Sequence, residues 1–294
     1  MNLLGTCKPL IGVVHLPPLP GSPGYKRRKY PPQLGRKWGF DEILEYAVEE
    51  AKKYKRAGFN AIIIENYGDK PYSAHAGLGE TTAIATIARE VSRHVSLPIG
   101  ISLLRNSGYE SIYAALVSGA SFIRVNNLCE IRASPEGLLF PEARRISRAL
   151  AELDLYDRLE EGKLVVMADI SVKHSWPVIR ADLSVSELVE ECLDRAGFPL
   201  AAIVISGPRT GVPPSLEDLQ EARRIAVRRD AAVVVGSGLT PENMPSFWKA
   251  ADGFIVGTWV KLGRITENMV SVDAARRLSE IAQRYRQVWP CQES

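Results

Sequence analysis

The chain is short of the features that assign a protein quickly. Its four cysteines stand at positions 7, 129, 192 and 291 of 294, with no C-x-x-C and no paired spacing. That scatter fits a reducing compartment better than a disulfide framework or a zinc site, so a cytoplasmic location is the default expectation. No apolar run approaches the ~18 residues that a membrane span needs. Lys8 and Pro9 ahead of a short apolar run make a poor signal peptide, and no membrane insertion is expected. Excess charge is also scarce. The formal net charge of +3 is too small to argue for nucleic acid. The largest basic cluster is Lys26-Arg27-Arg28-Lys29, whereas Arg223-Arg224 and Arg228-Arg229 read as a solvated helix face. Glutamine occurs only five times, a thermophile trait, since heat-labile amides are fewer there. H-E-x-x-H, G-x-S-x-G, a Walker loop and a nucleophilic Cys/His context are all missing, which removes protease, lipase and P-loop readings. No cofactor motif is recognisable.

What is present is alternation. Hydrophobic residues make up 46% of the chain, ample for a large core. Short β-branched runs recur at 10–16, 61–66, 98–104, 122–127, 164–172, 201–206, 232–238 and 253–258. Most are unbroken rather than alternating, as parallel strands covered on both faces are. Helical patterns lie between them, such as residues 40–58, where Asp41 reads as the amino-terminal cap and Gly58 as the stop. A weak internal echo of helix end, glycine, aromatic and strand appears at 57–64, 118–125, 196–205 and 251–257. Eight strands with intervening helices and no dividing linker predict an α/β fold, a single (β/α)8 TIM barrel over residues 1–294. An open doubly wound sheet is the alternative, but no G-x-G-x-x-G follows the first strand. After that strand comes a long, proline-rich loop at 16–40, far beyond the usual ~2–6 residues. It reads as a lid, with Tyr25 and the 26–29 run covering the site or reaching a neighbouring subunit.

In this fold the strand carboxy ends carry the chemistry. Gly236-Ser237-Gly238 after strand seven and Gly257-Thr258 after strand eight let backbone N–H groups approach a phosphate. Thr240-Pro241 then reads as a helix start adding positive potential. In "MADISVKH" (167–174), Met167, Asp169, Ser171 and Lys173 alternate onto one strand face. Asp169 and Lys173 are candidate acid/base groups, and a desolvated Lys173 amine could form a Schiff base, the alternative being a structural ion pair. His174 would point the other way. His15, Glu65, Asn66, Arg105, Asn106, Arg124, Asn126, Ser206 and Thr210 are further polar strand-end residues. His15 and Glu65 join the catalytic candidates, and Arg105 and Arg124 suit a carboxylate or phosphate. Glu65 and Asp169 could hold Mg²⁺, although no full ligand set is readable, so the metal is left unknown.

The stretches "LIGVVHLPPLPGSPGY", "AIIIENYGDKPY", "LPIGISLLRN", "GASFIRVN", "ADISVKHSWP", "VVVGSGLTPENM" and "ADGFIVGTWVKLGR" closely resemble the BtpA family, which also includes SgcQ. The resemblance runs in order over about residues 9–280. It implies a ribulose-phosphate-binding type of barrel, in agreement with the phosphate pocket. The family takes its name from a cyanobacterial member tied to photosystem I biogenesis, and an enterobacterial member lies among sugar-utilisation genes. No catalytic residue comes with the resemblance, and Ser102 stands where the family usually has a larger amide. The expected function is an enzyme acting on a phosphorylated small molecule, a phosphosugar or nucleotide-like compound, by isomerase or lyase chemistry. Glycosyl or phosphoribosyl transfer is a further enzyme class. The competing class is a non-catalytic assembly or regulatory factor. Barrels of this class often pair, so a homo-oligomer is an open expectation.

Overall fold

All eight β-branched runs become parallel strands in the computed structural model, which describes residues 2–31, 35–178 and 182–291. They are β1 (Leu10–His15), β2 (Ala61–Glu65), β3 (Ile99–Ser102), β4 (Phe122–Val125), β5 (Val165–Ile170), β6 (Ala202–Ile205), β7 (Ala232–Val235) and β8 (Gly253–Val256). The strands pair in chain order and close into a barrel, with Phe254 opposite Leu10 at the seam. Each run is unbroken because both of its faces are buried. One face fills the lumen, where Ile11, Val13, Ile63, Met167, Val204 and Val234 belong to a single cluster. The other face, including Val14, Ile62, Ile101 and Ile203, packs under the helices. Phe122 fills the lumen only because β3 has a glycine beside it. A Cβ on Gly100 would lie 2.2 Å from the Phe122 ring. The hairpin Asn2–Leu3 with Thr6–Cys7 adds Leu3 to the lumen cluster at the amino-terminal end of the barrel.

The outer ring comprises α1 (Phe40–Arg56), α2 (Leu78–His94), α3 (Gly108–Ser118), α4 (Ala143–Glu152), α5 (Tyr156–Glu160), α6 (Val185–Arg195), α7 (Leu216–Ala226), α8 (Met244–Trp248) and α9 (Val272–Val288). Helix α1 starts two residues earlier than its sequence suggests. Its cap is Gly39, whose N–H donates to Glu42 Oε2 at 2.7 Å, and Asp41 lies inside the first turn. None of these helices is long and apolar enough to cross a membrane among the described residues.

Two expectations about the periphery change. The loop from Leu16 to Gly39 is irregular, as its prolines require, and residues 32–34 lie outside the described residues. Its described part packs on the neighbouring β2 loop, where Leu19 N–H donates to Asp69 Oδ1 at 2.7 Å and Gly68 N–H donates to Leu16 O at 2.9 Å, and back on β1, where Tyr30 Oη donates to His15 O at 3.4 Å. Tyr25 and Lys26–Lys29 do not reach the barrel-mouth cavity described below. A small antiparallel sheet stands by the mouth instead, made from the β4 loop (Arg132–Ser134 and Gly137–Leu139) and the β5 loop (Trp176–Pro177). The second change concerns cysteine. Cys7 and Cys291 form a disulfide across 284 positions of sequence, a pairing that no local spacing announces. It removes the premise on which a reducing compartment was inferred. It ties the amino-terminal hairpin to the segment after α9, beside Arg286, which donates to Cys7 O and Lys8 O.

Closing so long a loop restrains the unfolded chain, with a ceiling of about 5 kcal/mol in the chain-entropy account. Reduction, or Cys291→Ser, should therefore lower the melting temperature by several degrees without altering the barrel's circular dichroism. Thermal unfolding with and without reductant measures this, and an unchanged midpoint would remove the clasp from the stability account.

Candidate functional site

The alternation that fills the lumen continues upward and turns polar at the carboxy-terminal mouth. His15, Glu65, Ser102, Arg124 and Asp169 occupy the lumen-facing register at the strand ends, and Ser206, Gly236 and Gly257 follow one residue beyond theirs. Ser102 Oγ donates to Glu65 Oε2 at 3.1 Å, and Glu65 Oε1 lies 3.7 Å from His15 Nε2. Arg124 donates from Nε to Asp169 Oδ1 at 2.9 Å and from Nη2 to Oδ2 at 3.0 Å, a buried two-bond fork. Gly236 leaves space beside that guanidinium, since a Cβ there would lie 3.3 Å from Arg124 Nη2 and 2.2 Å from Ser206 Oγ.

Above this layer is a cavity of about 250 Å³. His15, Glu65, Arg124 and Lys173 line one side, and Thr210, Gly236-Ser237-Gly238 and Gly257-Thr258 line the other. Ten of the sixteen candidate residues thus meet in one place. Gly211, Thr240, Trp259 and Arg264 also line it; the sequence reads Thr240 as a helix start beside the site and selects neither Trp259 nor Arg264. Arg264 was the detectable one, as a basic residue in the loop that follows the Gly257-Thr258 pair. Its guanidinium lies 5.5 Å from the Trp259 ring.

Burial, followed by Lys261, Lys173, Lys70 and Arg124, holds the His15 pKa well below the usual imidazole range. His15 is therefore neutral at pH 7. Burial first, and Arg124 next, bring the Lys173 ammonium down to about 8. A lysine so placed is about one-tenth free amine at pH 7, far more than an ordinary lysine.

The glycine loop after β7 packs closely on the chain that follows β6. Gly238 has φ +74°, and a Cβ there would lie 2.2 Å from Pro213 N, so only glycine fits. Gly236 N–H is taken by Ile205 O at 2.8 Å and Thr240 N–H by Asn243 Oδ1 at 2.8 Å. Among the described residues the N–H groups of Ser237 and Gly238 have no protein acceptor. The helix expected at Thr240-Pro241 does not form there. Thr240 and Asn243 close a turn, and α8 begins at Met244 and spans five residues, too short for a useful macrodipole.

The remaining candidates hold loops instead of facing the cavity. Asn66 accepts from Leu104 N–H and donates to Asp69 Oδ2, while Asn106 accepts from Asn127 N–H and donates to Phe140 O. Arg105 donates to Asn126 Oδ1 at 3.0 Å and to the Lys173 carbonyl, with Glu136 Oε2 3.5 Å from its Nε. Ser206 stays beneath Gly236, its Oγ without a hydrogen-bond partner among the described residues. The alternation expected through Lys173 also fails. Strand β5 ends at Ile170 and Ser171 turns at φ +50°. Lys173 therefore reaches the cavity from a bend, not a strand face. Asp169 faces Arg124 with both oxygens, so it is a paired carboxylate and not a free acid/base partner for Lys173. His174 is exposed, with Nε2 3.0 Å from Thr210 Oγ1.

The family model described as "BtpA family" matches residues 6–284. An uncharacterized protein of Pyrococcus abyssi is 41% identical over 279 residues, which cover 95% of this chain and 97% of the relative. The photosystem I biogenesis protein BtpA of Synechocystis is 33% identical over 267 residues, covering 89% and 84% respectively. Among solved structures, native KDPGal aligns at TM-score 0.53 with 17% identity, covering 98% of each chain. N-(5'-phosphoribosyl)anthranilate isomerase from Pyrococcus furiosus aligns at 0.50 with 13% identity, covering 94% of this chain and 99% of its own. These structural likenesses place the fold among TIM barrels.

Because the Arg124–Asp169 fork is buried, Asp169→Asn strands a guanidinium without its counter-charge. The expected loss is about 3–5 kcal/mol of stability, read as a lower urea midpoint at constant slope. A variant of unchanged stability with abolished activity would return Asp169 to the chemistry.

Proposed function

This chain belongs to the BtpA family, and we propose that its barrel mouth is an active site for a phosphorylated small molecule bearing a carbonyl group, a phosphosugar in preference to a nucleotide-like compound. A single observation carries the reading: the two glycine loops and the Lys173 amine share one small cavity. In this reading the phosphate accepts hydrogen bonds from Ser237 and Gly238 N–H, with Thr258 and Arg264 closing around it. The carbonyl end then extends toward Lys173. The free amine adds to the carbonyl carbon, water leaves, and the resulting iminium draws electrons from the adjacent carbon. Glu65, oriented by Ser102 and next to the neutral His15, accepts the proton or takes part in cleavage of the adjacent bond. That is isomerase or lyase chemistry, and it needs no metal in the steps given. Phosphoribosyl or glycosyl transfer would use the same anion pocket but has no need of the amine.

The Synechocystis relative is by its name a photosystem I biogenesis protein, and a non-catalytic assembly role is the second reading. The groove between α2 and α3, flanked by Leu78 and Val117 at 81% and 71% exposure, favours it. That reading assigns no role to the Lys173 amine in the mouth cavity.

Calorimetric titration with inorganic phosphate and with ketose and aldose phosphates tests the pocket. Arg264→Ala should weaken binding about tenfold, the loss of one charge-assisted hydrogen bond. Borohydride in the presence of a carbonyl phosphosugar should trap a covalent adduct on Lys173. Because the neutral amine attacks and the ammonium is held to about 8, trapping should rise with pH and level off above about 8. Lys173→Ala should abolish trapping while phosphate still binds. Absence of binding by every phosphate compound would overturn the reading.

A further inference from the structure

Two thiols meet beside the loop that presents Lys173. Cys192, on α6, is buried; Cys129, in the loop after β4, is partly exposed; their Sγ atoms lie 2.7 Å apart. That is about 0.7 Å beyond the ~2.05 Å of a formed disulfide. The chain already carries one disulfide, Cys7–Cys291, so its cysteines are compatible with oxidation. The residues next to Cys129 grip the far side of the mouth. Glu130 Oε1 accepts from Ser171 N–H at 3.0 Å, and Arg132 donates to Ser175 Oγ at 2.6 Å and to Ser175 O at 3.2 Å. Val178 N–H donates to Ile131 O at 3.2 Å. Residues 130–132 thus hold the chain on both sides of Lys173, while Cys129 is the link from that loop to α6.

We propose that Cys129 and Cys192 are a thiol–disulfide couple, and that its oxidised form clamps the β4 loop to α6 and so immobilises the 171–175 segment that carries Lys173. The oxidant is a low-molecular-weight disulfide. The Cys129 thiolate attacks it, forming a mixed disulfide and expelling one thiolate. Cys192 then attacks the Cys129 sulfur, forming the Cys129–Cys192 bond and expelling the second. The two protons lost by the cysteines end on the two released thiols, and the small disulfide is reduced as the pair is oxidised. The order of events follows from burial. The hydrogen bond with Cys129 and desolvation raise the Cys192 thiol well above the ordinary cysteine range, so it stays protonated until Cys129 has reacted. The inference concerns the loop and stands whatever the cavity binds.

The test uses the full chain carrying Cys7→Ser and Cys291→Ser, so that a single couple remains, with the natural chain treated in parallel in case that variant folds poorly. After incubation with oxidised glutathione, alkylation and digestion, mass spectrometry should find the Cys129 and Cys192 peptides joined and lighter by two hydrogens. Amide exchange over 171–175 should slow roughly tenfold on oxidation, and Cys192→Ala should leave Cys129 as a stable glutathione adduct with no such slowing. A stable glutathione adduct on Cys129 with Cys192 still alkylatable would overturn the couple. A joined pair with unchanged exchange at 171–175 would overturn the clamp.

Discussion

The buried fork between Arg124 and Asp169 sets the chemistry of the whole mouth. Two charges can share a dry site at tolerable cost only when their hydrogen bonds are satisfied, and adjacent strands β4 and β5 present the two groups so that each carboxylate oxygen meets its own N–H. Each carboxylate oxygen is thereby engaged by the guanidinium. Lys173, a few residues further on, has burial and the Arg124 charge pressing its proton off, with only weaker opposition from Glu65 and Asp169. His15, held down first by burial and then by the neighbouring cations, stays neutral. A free Asp169 would have been the natural counter-ion of Lys173, and an amine paired with it would have kept its proton.

Most of the architecture was legible because parallel strands announce themselves by unbroken β-branched runs. All eight were visible, each trimmed by a residue or more where the polar mouth begins, as at Glu65 and Ser102. The same two-residue period predicts which strand-end side chains face the lumen, and His15, Glu65 and Arg124 follow it. It stops being informative where a strand stops. Extending the period through Ser171 would have put Lys173 on the strand face of Asp169, whereas the left-handed turn at Ser171 sends it in from a bend. Asn66, Asn106, Arg105 and Asn126 lie outside the cavity lining for a related reason. Buried loop carbonyls and N–H groups must find partners, and amide and guanidinium side chains at loop roots serve that need as readily as they serve a ligand. The Cys7–Cys291 bond was invisible because its two ends meet only after the barrel has closed.

The two halves of the cavity differ in what holds them. The β7–β8 side is backbone, set by the close packing of Gly238 on Pro213 and by the Thr240–Asn243 turn. A site made from N–H groups recognises charge and little else, so it suits the part of a ligand that many compounds share. The β4–β5 side is made of side chains on loops joined by polar contacts: Glu130 to Ser171, Arg132 to Ser175, and Arg105 to Asn126 and to the Lys173 carbonyl. Such contacts can be exchanged without disturbing the barrel core, because none of them belongs to the lumen or to the layer under the helices. On the proposed function, a glycine-loop half that tolerates little change would face a Lys173 half that can be re-aimed, and differences in chemistry would be confined to the loops after β4 and β5. The Arg124–Asp169 fork marks the boundary between the two, with its carboxylate on β5 and its guanidinium beneath Gly236.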